Sequence, residues 1–344
     1  MKMWINTTIL VLVVLVGATP GFSFTSFGTK SMGMGGAFTG VADDVSCVFW
    51  NPAGLTQTGY FDLDVSFSGG GENTKNLANL YKIYQAIQEE DYDKARDLVD
   101  EISTPFGLEP TFGVAIGLLK RIAISGGLQA EFNVNKFESG PDGDASEEDY
   151  IHIEDVETAI VPLQFSLARK STKNLVVGVN IKYIQGARHS SDFKIYSNGE
   201  VEKIKDEGGR SNAAFSFDIG ALYHKEKSRF TLGMMIENVL EPKLNFPELS
   251  GDLSSMKLSR KINLGASFKP ISMLTLSADL HDLTGSSTFH FGGELNLKLV
   301  KLRAGMNDGN ITLGVGLNLF LFNLEAAYYE KKENPYVSLT MVKI

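Results

Sequence analysis

Hydrophobic and polar residues alternate one by one along much of the chain after residue 100. In the segment 312–320, Leu313, Val315, Leu317 and Leu319 alternate with threonine, glycine and asparagine. Because successive side chains of a strand point to opposite faces, this pattern predicts a strand with one apolar face and one small or polar face. The same alternation recurs in the segments 174–186, 212–225, 229–239, 258–268 and 287–299.

The alternating segments predict an all-β chain, a transmembrane antiparallel β-barrel of about fourteen strands. Tight connections alternate with long polar ones at 69–109, 136–157, 187–211 and 240–257, and this layout is typical of outer-membrane barrels. A closed barrel satisfies every backbone hydrogen bond, as lipid requires. A secreted soluble sandwich also alternates, so it stays an alternative. The inward face is predicted to hold the acidic residues Asp218, Glu237, Asp279, Glu294 and Glu325. The strands are predicted near 60–68, 110–119, 122–135, 158–169, 174–186, 212–225, 229–239, 258–268, 273–281, 287–299, 301–307, 311–320, 322–330 and 335–344.

The first residues indicate export. Lys2 precedes an unbroken apolar run from Ile9 to Val16, and small and turn-forming residues follow it. This is the pattern of a signal peptide, here assigned to residues 1–23. The run is shorter than the roughly 20 apolar residues of a spanning helix. We therefore expect an exported protein of the bacterial outer membrane whose membrane spans are strands.

Two segments break the strand pattern. Residues 24–58 are rich in glycine and aromatic residues, which predicts an N-terminal hatch folded inside the barrel; a disordered leader is the alternative. Residues 73–103 repeat apolar residues at helical spacing, which predicts a helical insertion in the first long loop. That insertion would cover the barrel mouth or, alternatively, dock a partner protein. The barrel itself is assigned to 59–344.

The remaining features argue against several classes of function. The net charge of −9 disfavours nucleic-acid binding, because phosphate contacts need clustered Lys and Arg. The lone Cys47 cannot form an intramolecular disulfide and is interpreted as a packing residue. The five histidines lack metal-ligand spacing, and the acidic run 142–155 lacks the spacing of a calcium loop. Neither a serine elbow nor a dinucleotide fingerprint is found. We therefore predict no enzyme activity, no cofactor and no metal site.

The most specific motif lies in the predicted hatch. Ala42-Asp43-Asp44 is followed by Asn51-Pro52-Ala53. This motif resembles the N-terminal hatch of the FadL/OMPP1 family of outer-membrane long-chain fatty-acid transporters, and of the related PorV-type barrels. In that family the Asn-Pro-Ala element lies beside an inward kink of the third strand, through which hydrophobic substrate leaves sideways. The resemblance therefore implies a gate formed by Asn51, Pro52 and Ala53 together with Asp43 and Asp44. Since proline fixes φ and asparagine tolerates turns, a purely structural corner is the alternative.

Adjacent glycines suggest where such a kink would lie. Gly126 and Gly127 fall in the third predicted strand, and paired glycines within a strand often mark a bend. Glycine-rich strands of the second half, at 291–295, 302–306 and 313–317, are also similar to those of the PorV-type barrels.

The resemblance implies passive uptake of hydrophobic compounds, such as long-chain fatty acids, across the outer membrane without any cofactor. Its expected partners are outer-membrane lipid and hydrophobic small molecules. The alternative is a PorV-type scaffold that docks a protein for secretion or surface attachment.

Overall fold

The computed structural model describes residues 27–89, 91–140, 150–196, 200–331 and 333–343. The predicted signal peptide lies outside these residues. The described residues form one antiparallel sheet of sixteen strands, and fourteen of them make up the barrel wall, in which each strand pairs with the next. The other two strands are Phe106–Leu108 and Val201–Arg210. β1 pairs with both β2 and β14, so the sheet closes on itself. The strands are β1 (Phe61–Gly70), β2 (Thr111–Leu118), β3 (Ile122–Gly140), β4 (Tyr150–Lys170), β5 (Leu175–Tyr196), β6 (Ala214–His224), β7 (Phe230–Glu237), β8 (Lys261–Ile271), β9 (Leu274–His281), β10 (Thr288–Asn296), β11 (Val300–Asn307), β12 (Asn310–Asn318), β13 (Asn323–Lys331) and β14 (Asn334–Lys343).

The predicted fold is therefore confirmed, and each predicted strand overlaps an observed one. The two faces of the wall also follow the predicted alternation. On β12, Leu313, Val315 and Leu317 are exposed on the outer face, whereas Thr312 is buried inside. The acidic residues predicted for the inner face are all buried. The outer surface is thus an apolar belt of the kind that lipid covers in membrane barrels.

Residues 27–58, here called the N-terminal segment, precede β1 and pack against inward-facing residues of the wall. The segment contains α1 (Thr29–Gly33) and two 3-10 helices, Val45–Phe49 and Pro52–Gln57. Phe27, Phe49 and Trp50 are buried within it, so its aromatic residues pack as the sequence analysis predicted. The lone Cys47 is also buried, in agreement with its interpretation as a packing residue.

Two of the predicted long loops are largely strand. β3, β4 and β5 have 19, 21 and 22 residues, whereas the other barrel strands have 8 to 11. An additional strand, Val201–Arg210, pairs with the far end of β5. The prediction of loops at 136–157 and 187–211 was wrong, because polar residues there lie on a sheet that extends beyond the apolar belt. Residues 141–149, which hold most of the acidic run, lie outside the described residues.

The helical insertion is confirmed as α2 (Asn76–Gln88) and α3 (Tyr92–Asp100). Their apolar faces form a second hydrophobic core with Phe137, Ile153 and Phe193 of the extended strands. Ile153 and the exposed Leu163 are an even number of residues apart on β4, so their side chains point to the same, outward face. The helices therefore pack on the outward face of the extension. They do not cover the barrel mouth as predicted. In the described part of the chain, no helix has the length and apolar character needed to cross a bilayer.

A different loop covers part of that end of the barrel. The connection between β7 and β8 contains a short hairpin of Lys243–Asn245 with Ser255–Lys257. Leu244 and Phe246 of this connection belong to one buried cluster with Ile160 of β4 and Ile184 of β5. The part of the lumen next to Ile160 and Ile184 is therefore apolar and covered, whereas elsewhere on the inner face of the same strands Gln164, Asn180 and Lys182 are buried.

Candidate functional site

Inward-facing glycines of the wall contact the backbone of the N-terminal segment directly. A Cβ atom on Gly178 would lie 2.3 Å from the Ala53 nitrogen, and one on Gly292 would lie 2.1 Å from the Met34 carbonyl oxygen. Such distances exclude any side chain, so only glycine allows this close approach. The wall glycines that contact the backbone of the segment in this way are Gly178, Gly233, Gly265, Gly292, Gly305 and Gly314. Side chains of the segment instead contact Gly113, Gly117, Gly127 and Gly220. Four of these ten glycines, Gly127, Gly292, Gly305 and Gly314, lie in motifs noted from the sequence, but the motifs did not indicate their physical role.

Directional hydrogen bonds attach the segment to β8–β14. The Thr29 hydroxyl lies 2.7 Å from the Ser338 hydroxyl and 2.6 Å from that of Thr340 on β14. The Thr39 backbone N–H donates to Asp279 Oδ2 at 2.7 Å. Further donors on this side of the wall are Ser267 to the Gly40 carbonyl, Thr312 to the Gly33 carbonyl and His290 to the Gly35 carbonyl.

A buried ion network reinforces the same attachment. Lys30 Nζ lies 2.7 Å from Asp43 Oδ1 within the segment and 3.5 Å from Glu294 Oε1 on β10. Arg303 bonds both Glu294, at 2.7 Å, and Glu325, at 2.8 Å. Burial alone would lower the pKa of Lys30, but Asp43 and Glu294 outweigh it and raise that pKa above its ordinary range. Lys30 is therefore a permanent cation between two carboxylates.

Asp43 and Asp44 have different roles, although the motif places them side by side. Burial would raise the pKa of Asp43, but the nearby Lys30 and Lys269 hold it below its ordinary value. Asp44 caps the helix Val45–Phe49, and its Oδ1 accepts a bond from the Ser46 backbone N–H at 3.0 Å. Burial and the neighbouring Asp43 raise the pKa of Asp44 to about 6, although Lys30 opposes the shift. The sequence analysis identified both carboxylates but missed Lys30.

The Asn51-Pro52-Ala53 corner lies against β5 and β6. Asn51 Nδ2 donates to the Thr39 carbonyl at 2.9 Å and to the Ala221 carbonyl of β6 at 3.0 Å. Its Oδ1 accepts a bond from the Ala53 N–H at 3.2 Å. The triplet thus contacts different strands from the one that holds Gly126 and Gly127, in contrast to the arrangement implied by the family resemblance. Its predicted role as a gate stays a prediction.

The pairing between β3 and β4 is interrupted next to Gly127. The two strands pair up to Gly126 with Leu163 and again from Gln129 with Ile160, in an unchanged register. Gly127 and Leu128 therefore lie opposite Pro162 and Val161 without pairing to them. Proline has no N–H to donate, which accounts for a missing bond at this point. The wall kink at Gly126 and Gly127 stays a prediction, since the strand register does not shift there.

Phe27 of the N-terminal segment lies behind this gap. A Cβ on Gly127 would lie 2.8 Å from the Phe27 ring, and one on Gly113 of β2 would lie 2.5 Å from it. The ring is buried and lies 4.6 Å from the ring of Phe49, between centroids. The gap is thus closed from inside by an aromatic side chain. The packing of Phe27 was predicted from the sequence, but its place behind the gap was not. Pro162 was missed, although a proline inside a strand is a known signal for an interrupted ladder.

A polar cavity of about 580 Å³ opens at the long-loop rim beside β8–β13. Met32, Gly36 and Trp50 of the segment belong to its lining, together with the wall histidines His281 and His290. Those two imidazoles stack with centroids 4.0 Å apart. Across the residues that the structure describes, no group of three His, Cys, Asp or Glu is placed to hold a metal ion.

Solved structures of transport proteins share this fold. The toluene transporter TbuX of Ralstonia pickettii is 13% identical, with a TM-score of 0.57, and the match covers 94% of this chain and 98% of that one. The toluene transporter TodX of P. putida is 11% identical, with a TM-score of 0.56 over 93% and 99% of the two chains. The monoaromatic hydrocarbon channel CymD is 11% identical, with a TM-score of 0.54 over 94% and 97%. At these identities the likeness shows the fold alone.

Sequence comparisons give a different kind of match. Curated protein sequences yield none. One family model matches residues 60–281, and its description is "F plasmid transfer operon, TraF, protein". The matching model is not that of a FadL family. The match also begins after the N-terminal segment, which carries the resemblance to FadL. The PorV-type assignment stays a prediction. Because the matched residues make up well over half of the chain, the protein belongs to the family described as "F plasmid transfer operon, TraF, protein".

Proposed function

We propose that this protein is an outer-membrane channel for the passive uptake of hydrophobic small molecules, with the N-terminal segment as its plug. The observation that carries the proposal is the unpaired stretch between β3 and β4 at Gly127 and Leu128, in the wall of a barrel whose lumen is occupied. A lipophile that leaves through the wall enters lipid directly and avoids the aqueous side of the membrane.

The surroundings of the gap fit an apolar route. Ile160 of β4 follows the gap along the ladder, and its side chain belongs to the buried cluster with Ile184, Leu244 and Phe246. Leu128 and Val161, on the other face of the wall, are exposed where lipid would lie. An apolar molecule on this route would pass the buried Gln129 but would contact Ile160 on the inner face and Leu128 and Val161 on the outer face, and each buried CH₂ contributes roughly 0.8 kcal/mol.

The substrate class is hydrophobic compounds, and two members of that class deserve testing first. Long-chain fatty acids follow from the resemblance of the hatch motif to FadL. Monoaromatic hydrocarbons follow from the toluene transporter TbuX and the monoaromatic hydrocarbon channel CymD, which share the fold. Transport would be diffusion down a gradient, since the proposed route requires no energy source.

The test is flux through purified protein in liposomes, with a fluorescent long-chain fatty acid, toluene and a small sugar as solutes. Pro162→Ala restores a backbone N–H opposite Gly127 and should lower lipophile flux by allowing the ladder to close. Pro270→Ala, in β8 on another part of the wall, is the matched control and should leave flux unchanged. The proposal would be wrong if folded protein carried neither lipophile, or if Pro162→Ala and Pro270→Ala behaved alike.

A docking platform is the second candidate function. α2 and α3 form a core of their own with the extended strands, beyond the apolar belt. The family description refers to a plasmid transfer operon, and a platform of this kind would suit contact with a partner protein. Deleting the helices would expose Phe137 and Phe193, so the better test is Tyr81→Asp on the exposed face of α2. Lost partner association with intact lipophile flux would favour this candidate.

A further inference from the structure

The strands on one side of the barrel are short for the membrane that they would cross. β9 to β13 have eight or nine residues each. Nine residues at a rise of about 3.3 Å and a tilt of about 40° reach roughly 20 Å along the membrane normal, less than the belt of about 25 Å in such barrels. The apolar surface on this side must therefore continue past the strand ends.

The turns at the ends of these strands are apolar and exposed. Phe320 and Leu321, between β12 and β13, are 102% and 69% exposed, and Leu299, between β10 and β11, is 73% exposed. Met273, between β8 and β9, is also exposed. The exposed apolar side chains of these turns continue the outer faces of β8–β13.

Two other turns on the same rim are polar. The β4–β5 turn consists of Ser171-Thr172-Lys173-Asn174, and the β6–β7 turn runs from Lys225 to Arg229. Lys173 and Glu226 of these two turns form an exposed ion pair at 2.7 Å. The apolar turns of β8–β13 thus contrast with the polar turns of β4–β7 on the same rim.

We propose that the turns joining β8–β9, β10–β11 and β12–β13 insert among the acyl chains of the lipid leaflet at this rim. Their continuity with the outer belt identifies lipid as the occupant. Lys298 lies within the β10–β11 turn, and its long side chain would reach from the apolar surface to lipid phosphates. The polar turns of β4–β7 remain in water, so the two parts of the rim lie at different depths. This inference rests on the proposed outer-membrane location.

Nitroxide labels on single cysteines test the depth of each turn in liposomes of phosphatidylcholine and phosphatidylglycerol. The buried Cys47 is first changed to alanine, and cysteine is then placed at one position at a time. Phe320→Cys reports the apolar turn, Lys225→Cys the polar turn, and Leu313→Cys the middle of the belt. Collisions with oxygen, which concentrates in lipid, are compared with those of a water-soluble nickel chelate.

We expect the label at position 320 to lose nickel accessibility and gain oxygen accessibility, as at position 313, whereas the label at 225 shows the reverse. If position 313 reports lipid but position 320 reports water, the turns do not insert and a protein partner becomes the better occupant. If position 313 itself reports water, the outer-membrane location fails and the inference fails with it.

Discussion

The N-terminal segment contacts two parts of the wall in different ways. Against β8–β14 it is attached by directional bonds: the Thr29 hydroxyl to β14, the Thr39 N–H to Asp279, and the pair of Lys30 with Glu294. Against β2 and β3 it presents apolar side chains, with Phe27 over Gly113 and Gly127 and Val45 over Gly117. One side thus has a fixed geometry, whereas the other side depends on non-directional packing.

This difference indicates which side can open. A hydrogen bond requires a narrow range of distance and angle, whereas an aromatic ring can shift and still find apolar contacts. The unpaired stretch of the β3–β4 ladder lies on the apolar side, next to Phe27. Movement at the gap would therefore leave the attachment to β8–β14 intact.

The largest expected effect comes from the attached side. Lys30→Met leaves Asp43 and Glu294 without their shared cation, which should lower the free energy of unfolding by about 3–5 kcal/mol. Release of the segment from this wall should also let small polar solutes through. Urea unfolding and sugar efflux from liposomes measure the two consequences.

Lys269→Met is the control, since this half-exposed lysine lies 3.8 Å from Asp43 on its other side. Exposed pairs contribute at most about 1 kcal/mol. Equal losses for the two variants would contradict the view that the buried lysine attaches the segment.

A smaller effect should follow the protonation of Asp44. Because its folded pKa of about 6 lies above the unfolded value, the folded protein holds this proton more tightly. The carboxyl therefore contributes stability, on the order of 2 kcal/mol, that is fully present below the unfolded pKa and is lost as the pH rises through the folded pKa of about 6. Unfolding of wild type and Asp44→Asn from below the unfolded pKa to above the folded pKa measures the effect. The difference between the two curves should change mainly between the two pKa values and become flat about one pH unit above the folded one; a flat difference throughout would refute it.

The smallest effect on stability is expected on the apolar side. Phe27→Leu keeps an apolar side chain behind the gap and should cost less than about 1.5 kcal/mol. Lipophile flux should rise because the ring no longer fills the space between Gly113 and Gly127, while sugar efflux should stay unchanged. Val48→Leu, also buried in the segment, is a control for packing in general. If Phe27→Leu let sugar through as Lys30→Met does, the two sides would not differ.

Much of the barrel could be predicted from the chain itself. Period-two alternation such as that of Leu313, Val315 and Leu317 identifies a strand and both of its faces, because one face meets lipid and the other the lumen. The extended parts of β3, β4 and β5 could not be recognised in this way. One of their faces carries charges, and the other is covered by helices distant in sequence, so the segment 150–157 looks like a polar loop.

The candidate site was harder to predict, since its parts come from distant positions. Asp43, Asp44 and Asn51 belong to a recognisable motif. The role of Lys30, in contrast, depends on its ion pair with Glu294 on β10. Pro162 could have been recognised from the sequence alone, because a proline within a strand interrupts the pairing of that strand. The role of the interrupted pairing depends on Phe27, which is distant from Pro162 in sequence but lies behind the gap in the structure.

The glycines of the inner wall have a consequence for protein engineering. Where Gly178, Gly233 and Gly292 meet the segment, the contact is with its backbone atoms at Ala53, Thr39 and Met34. At these points the path of the segment is therefore set by the wall and not by the side chains of the segment. A designer who wants an open pore need not alter residues 27–58 at all. A single methyl group at one of these glycines would displace the segment from a surface that lies more than a hundred residues away in sequence.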